Sequence, residues 1–283
     1  MRPILLSFVL AASAAAQTTQ ITAQQIIDRI HKEVGVPWRT QTVDTFKAGD
    51  PRTPVTGVAV TMMATFDVLQ RAAAAGKNLV ITHEPTFYSH LDGIADLEKR
   101  SDPVLAAKEA FIREHHMVVW RFHDHWHMRQ PDGIQLGMTK ALGWEKYQSA
   151  SEPRLFTLPE TTLADLAESL KKKLGISVMR VVGDRSLKVS KIALIPGAAG
   201  SETQIKALER DDVEVAIIGE VPEWETVEYV DDANAAHQHK ALIMLTHIPS
   251  EQAGMEECTQ WLKTFVKEVP VEFVPAKQPF WEP

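Results

Sequence analysis

Cysteine is almost missing from this chain: Cys258 stands alone in 283 residues, so no internal disulfide forms and the fold must be held by its core. No apolar stretch reaches the ~18 residues that a membrane-spanning helix needs. Basic residues are outnumbered, 30 Lys+Arg against 37 Asp+Glu, for a net charge of -7, and no block of like charge dominates. Without a basic face, the sequence argues against nucleic-acid binding. Short repeats and low-complexity segments are absent as well. What is present is an ordinary globular composition, 45% hydrophobic and 24% charged, enough for one large domain or two modest lobes and incompatible with disorder. Histidine is the exception to this even composition: of 11, five (His115, His116, His123, His125 and His127) fall between positions 115 and 127.

The first residues read as a processing segment. Arg2 is followed by the apolar run 4–12, then by Ala14-Ala15-Ala16 and Gln17. This pattern predicts a signal peptide over residues 1–16, cut after Ala16, and hence an exported chain, periplasmic or secreted, free of the membrane after cleavage.

From there the pattern alternates between strand and helix. Apolar spacing predicts a helix over 21–34 with Thr22 as its cap, a strand at 56–60, a helix at 66–75 stopped by Gly76, and a wholly apolar strand at 78–82. A helix at 104–114, a strand at 117–122 and a helix at 134–142 follow. The polar stretch 148–154 breaks the pattern, which restarts with a helix at 163–174 and strands at 178–182 and 192–195. The loop 196–200 then leads into Ser201-Glu202-Thr203-Gln204, a capping-box pattern. Strands at 213–218 and 241–245 and a helix at 258–266 complete the reading. Such alternation predicts an α/β fold of two similar lobes, about 24–148 and about 153–276, with mostly parallel sheets.

Four apolar strands end in chemistry. One runs into His83-Glu84-Pro85, a second into His123-Asp124-His125-Trp126-His127, a third into Gly219-Glu220, and a fourth into Thr246-His247 with Glu251 four residues on. Taken singly, each has an ordinary explanation: a surface turn, a solvated loop around a packed tryptophan, an i,i+4 surface pair. Together they put imidazoles and carboxylates at the carboxyl ends of parallel strands, where ligands bind. That donor mixture suits Zn, Mn or Fe.

These segments resemble the motifs of the NIF-three-like family of dinuclear metal-centre hexameric proteins, also named the GTP cyclohydrolase I type 2 family. His83-Glu84-Pro85 resembles its His-His-Pro, 215–220 its Thr-Gly-Glu strand, 246–251 its Gly-His-His-Ala-Thr-Glu, and His123 to Gly133 its His-x-x-x-Asp segment. The Pro196–Gly200 loop matches a glycine-rich loop in the same order, and the resemblance spans roughly residues 24 to 272. It implies a metal site between the lobes held by His83, Glu84, His127, His247 and Glu251. Two positions depart from the family: Glu84 stands where it has His, and His127 where it has Asp, so an imidazole and a carboxylate have changed places. In the implied arrangement two divalent ions are bridged by Glu251, with His83 and His247 on one, and Glu84 and His127 on the other. If the alignment slips, Asp124 or Asp132 is the alternative carboxylate. Glu220, His123 and His125 are then candidates for supporting or proton-transfer roles. A homo-oligomer, hexameric by resemblance, is implied too.

The function this suggests is metal-dependent hydrolysis of a small-molecule substrate, the alternative being a non-catalytic, oligomeric metal-binding scaffold. GTP fits an exported chain poorly. The Gly197–Gly200 loop reads as a tight turn before a capped helix rather than a phosphate cradle.

Overall fold

The computed structural model describes residues 20–283; the proposed signal peptide lies outside them. The first part of the chain runs α1 (Ala23–Glu33), β1 (Phe46–Ala48), β2 (Val58–Met63), α2 (Phe66–Ala74), β3 (Leu79–Glu84), α3 (Ala95–Lys99), α4 (Pro103–Glu114), β4 (Val118–Arg121), α5 (Asp124–Met128) and α6 (Gly133–Leu142). The second runs β5 (Leu155–Thr162), α7 (Leu163–Leu174), β6 (Arg180–Val182), β7 (Lys188–Ile195), α8 (Ser201–Leu208), β8 (Val215–Ile218), α9 (Glu228–Ala235), β9 (Ala241–Met244), α10 (His247–Leu262) and β10 (Val271–Phe273).

Two five-stranded sheets result, ordered β1-β4-β3-β2-β10 and β5-β7-β8-β9-β6. Their inner strands are parallel, and β1, β5 and β6 are antiparallel edges. The inner strands are apolar on both faces: β3, β4, β8 and β9 are buried along their whole length. Strands of this kind are covered by helices on each side and read as continuous apolar runs rather than alternating ones. This is the mixed α/β architecture the alternation predicts.

The chain does not divide cleanly in sequence. After the second sheet, α10 sends Met255, Cys258 and Leu262 into the first core, and β10 pairs in parallel with β2. The C-terminal stretch that sequence spacing puts in the second lobe therefore closes the first sheet. α10 also crosses α6 closely: a Cβ on Gly254 would lie 2.5 Å from the Ile134 Cα, so only glycine allows the approach.

Three local expectations change. The helix expected at 258–266 begins eleven residues earlier, at His247. The segment 123–127, whose ordinary reading is a solvated loop, is largely the short helix α5. The Ser201–Gln204 capping box does not form: Gly200 is the cap residue and no side chain caps α8. Gln204 is instead fully buried, accepting from the Thr226 hydroxyl at 2.7 Å and donating to the Glu220 carbonyl at 3.2 Å.

Candidate metal centre

Parallel strands deliver the candidate residues to one place. His83 and Glu84 are the last two residues of β3. His123 and His127 flank and occupy α5 just beyond β4, Glu220 follows β8, and His247 opens α10 just beyond β9 with Glu251 one turn on. The two sheets thus face each other across the cluster through their carboxyl ends, the usual ligand position in such sheets.

Glu251 is at the centre. Its Oε2 lies 3.1 Å from His247 Nε2 and 3.7 Å from His83 Nε2, while its Oε1 lies 3.8 Å from His127 Nε2. Glu84 Oε1 lies 3.2 Å from His247 Nε2 and 3.8 Å from His123 Nε2. Two groups of potential ligand atoms lie within 4.8 Å of one another: His83, His123 and His127, and His83, Glu84 and Glu251. All five residues expected as ligands converge, but the division differs from the one the resemblance implies. Glu84 Oε1 lies 3.2 Å from His247 Nε2, whereas the carboxylate oxygen 3.8 Å from His127 Nε2 is Glu251 Oε1. His123, expected in a supporting role, has the geometry of a ligand.

His125 does not join them. Its Nδ1 bonds the buried Asp44 carboxylate at 2.6 Å, its Nε2 accepts from the Arg39 amide at 2.9 Å, and its ring stacks on Trp38 at 3.6 Å. On a helix, His125 points away from the face that carries His127, so a proton-transfer role at the cluster is ruled out by direction as well as by its engaged nitrogens. Asp124 and Asp132, the alternative carboxylates, are not in either ligand group among the described residues; they bond the Nδ1 atoms of His123 and His127, each at 2.9 Å.

The four remaining imidazoles share one arrangement. Nδ1 of His83 meets the Phe122 carbonyl at 3.1 Å, and that of His247 meets Glu220 at 3.1 Å, completing the set with Asp124 and Asp132. An acceptor at Nδ1 fixes the proton there and turns the Nε2 lone pair outward, the usual support of metal-bound histidine. His83 makes the case sharpest. It is fully buried, its Nε2 has no hydrogen-bond partner among the described residues, and that lone pair faces the Glu251 carboxylate at 3.7 Å. Burial drives its pKa well below the ordinary value, and His123 and His127 push it further, so the ring is neutral. A lone pair opposite a carboxylate is unfavourable unless a cation lies between them.

The electrostatics agree. Burial opposes a charge on His247, yet hydrogen bonds to Glu220, Glu251 and Glu84 carry its pKa up to about 12. Burial likewise works against the Glu84 carboxylate, but His247, His123 and Arg121 hold its pKa below the ordinary value. The three carboxylates around His247 thus favour a positive charge at the cluster.

Several further residues build this geometry. Fully buried Arg121 donates to the His83 carbonyl at 3.0 Å and to Glu84 Oε2 at 3.1 Å, leaving Oε1 to face the cluster. Asp44 accepts from the amides of His123, Asp124 and His125 and so caps α5 from a distant segment. Gly197 has φ +70, and a Cβ there would lie 2.2 Å from Glu251 Oε1, so the loop presses backbone against the central carboxylate. Thr246 has φ 69 and ψ 161, a strained conformation for a side-chain-bearing residue, and its hydroxyl accepts from Gln278 at 2.8 Å.

A two-sheet α/β protein with a histidine–glutamate cluster at facing strand ends is the class these observations define. The pattern of the Duf34/NIF3 (NGG1p interacting factor 3) family matches residues 22–279, and the chain belongs to that family. A Clostridium acetobutylicum protein named GTP cyclohydrolase 1 type 2 homolog is 25% identical over 197 residues, 66% of this chain and 69% of that one. A Clostridium perfringens protein of the same name is 24% identical over 160 residues, 53% of this chain and 59% of that one. The fold matches Staphylococcus aureus protein SA1388 with a TM-score of 0.71 at 18% identity, covering 93% of this chain and 99% of that one. A Bacillus cereus protein related to NIF3 matches with the same TM-score at 15% identity over the same shares.

Proposed function

We propose that the cluster is a dinuclear divalent-metal centre and that the protein is a metal-dependent hydrolase of a small molecule. The observation that carries the metal reading is the common orientation of His83, His123, His127 and His247, each held at Nδ1 by an acceptor with Nε2 turned toward the same space. His83, His127, His247, Glu84 and Glu251 would hold the ions, with His123 beside them. This donor set of imidazole and carboxylate suits Zn, Mn or Fe. When bound, a pair of such ions supplies Lewis acidity and a clamp for developing negative charge.

The chain's own residues do the rest. Glu251 turns Oε2 toward His83 and His247 and Oε1 toward His127, so it would be shared within the centre. Arg121 keeps Glu84 from engaging with both oxygens. Glu220 orients His247. His123, with Asp124 behind it, can hold or move a proton at Nε2.

Elemental analysis of tag-free protein, purified in Mn- and Zn-supplemented buffer, tests the centre; the expected result is about two ions per chain, and trace metal only rejects it. Turnover of hydrolysable ester and phosphoester panels should disappear with chelator and return with metal. Two bound ions without turnover across those panels would favour the scaffold reading. Export and self-association belong to the same proposal, supported by the sequence of residues 1–16 and the family likeness. Intact mass of the native protein and light scattering test them.

A further inference from the structure

Glu84, Glu220 and His247 have a second side. They contribute to the wall of a cavity of about 470 Å³ that is otherwise lined largely by apolar groups, among them Met63, Phe66 and Tyr88. That volume falls in the range of small-molecule pockets. Two polar groups in its lining have unused hydrogen-bonding capacity. Lys108 is 3% exposed, and its ammonium makes one hydrogen bond, 2.6 Å to the Thr86 carbonyl. Among the described residues no carboxylate forms an ion pair with it; the nearby Asp92 pairs with Lys47 and Arg121 through Oδ2, which has no hydrogen bond, and accepts the amides of Thr86 and Phe87 at Oδ1. Among the described residues the buried Thr86 hydroxyl has no hydrogen-bond partner.

A buried ammonium has three donors, and leaving two without acceptors is costly. α4 places this lysine in line with buried Leu105 and Ile112, where an apolar residue would pack at lower cost. The Phe87 and Tyr88 rings, 5.7 and 5.3 Å from Nζ, offset only part of the charge.

Resting on the metal-centre reading, we infer that this cavity is the substrate pocket of that centre and takes an apolar acid. The substrate's apolar or aromatic body lies against Met63, Phe66 and Tyr88. Its carboxylate or phosphate oxygens accept from Lys108 and Thr86, and its hydrolysable bond faces the Glu84–His247 wall. Hydrolysis gives the hydroxyl of water to the cleaved centre and its proton to the leaving group, so no other co-reactant is required.

The test is isothermal titration of the full chain with 4-phenylbutyrate, 3-phenylpropylphosphonate and the neutral 4-phenylbutyramide, before and after chelation, with metal content measured in parallel. In chelated wild type one of the anions should bind about tenfold or more tighter than the amide, the scale of a charge-assisted hydrogen bond. Which anion does so distinguishes a carboxylate from a phosphate substrate. Lys108→Met should reduce the preference to about twofold or less with metal content unchanged, while Lys108→Arg retains most of it and Thr86→Val loses part. An anion preference that vanishes on chelation, or that survives Lys108→Met, overturns the inference. If Lys108→Met does not fold, the chelated wild type and Thr86→Val decide on the same criteria. A chain that holds no metal yet shows the Lys108-dependent preference would reject the metal centre and keep the pocket.

Discussion

Two helices bring ligands to the cluster, and they are held in opposite ways. α10 has sixteen residues, with His247 and Glu251 one turn apart at its start and Met255, Cys258 and Leu262 buried behind them. Its ligands are fixed by the packing of a long helix. α5 has five residues, too short to be stable by its own hydrogen bonds. It is held by polar contacts to remote segments: the Asp44 carboxylate at its start, and the Trp126 indole donating to the Gly254 carbonyl of α10 at 3.2 Å. A ligand on a short element depends on a few buried hydrogen bonds, whereas one on a long helix depends on many apolar contacts. The two should therefore fail differently.

The largest effect is expected where both supports meet. Glu251→Gln removes the carboxylate shared by the two sides, and metal binding should fall by more than the ~100-fold that loss of a supporting partner can cost. Circular dichroism should be unchanged, because α10 keeps its packing. Near-normal metal content by elemental analysis would show that Glu251 is not the shared ligand.

Next comes Asp44→Ala, which strikes α5 alone. Three backbone amides and the His125 ring would lose their acceptor. The cost should be about 3–5 kcal/mol in denaturant unfolding of chelated protein, with metal affinity reduced about 10–100-fold. Asp44→Asn should recover part of both. Unfolding without any loss of metal affinity would mean that α5 keeps its position without its cap.

Which supports were readable in the sequence follows from the same contrast. The inner strands and the strand-end ligands are legible because parallel strands are continuous apolar runs, and polar residues at their ends stand out. α5 is hidden because five residues, two of them histidines, have no helical period. Asp44 has no signal at all, since its partners are about 80 residues away. Arg121 and Lys108 did leave one: each is a charge within an apolar pattern, Arg121 near the end of 117–122 and Lys108 on the 105–112 stripe. A charge at such a position implies a buried partner or ligand. The Ser201–Gln204 pattern misled for the reverse reason, because burial of Gln204 against Thr226 outweighs a local cap.

Gly254→Ala tests the contact through which the two helices share a support. The added methyl must push α10 from Ile134 of α6, and overpacking of this kind costs about 1–3 kcal/mol. Because the Gly254 carbonyl also receives Trp126, the change should loosen α5 as well. Amide hydrogen exchange should then rise around 124–128 together with 250–256. A rise confined to α10 would separate the two helices.

The smallest effect belongs beyond the far end of α10, where the support is an exposed ion pair. Arg29 of α1 bonds the Phe265 carbonyl at 3.2 Å and pairs with Glu268. The hydrogen bond from Arg29 holds the Glu268 pKa at about 2, against an ordinary 4.5. A depressed carboxylate stabilises the fold fully above its unfolded pKa and loses that contribution as pH falls through the folded one, so the window is 4.5 down to about 2. Solvent screening limits the pair to about 0.2–1 kcal/mol. Arg29→Ala should therefore be less stable than wild type by that amount at pH 6.5, and the gap should narrow at pH 3 and at high salt. A gap that is independent of both would place the stabilisation in the Phe265 carbonyl bond instead, and would mean that this end of α10 is held by one side-chain bond to a backbone carbonyl.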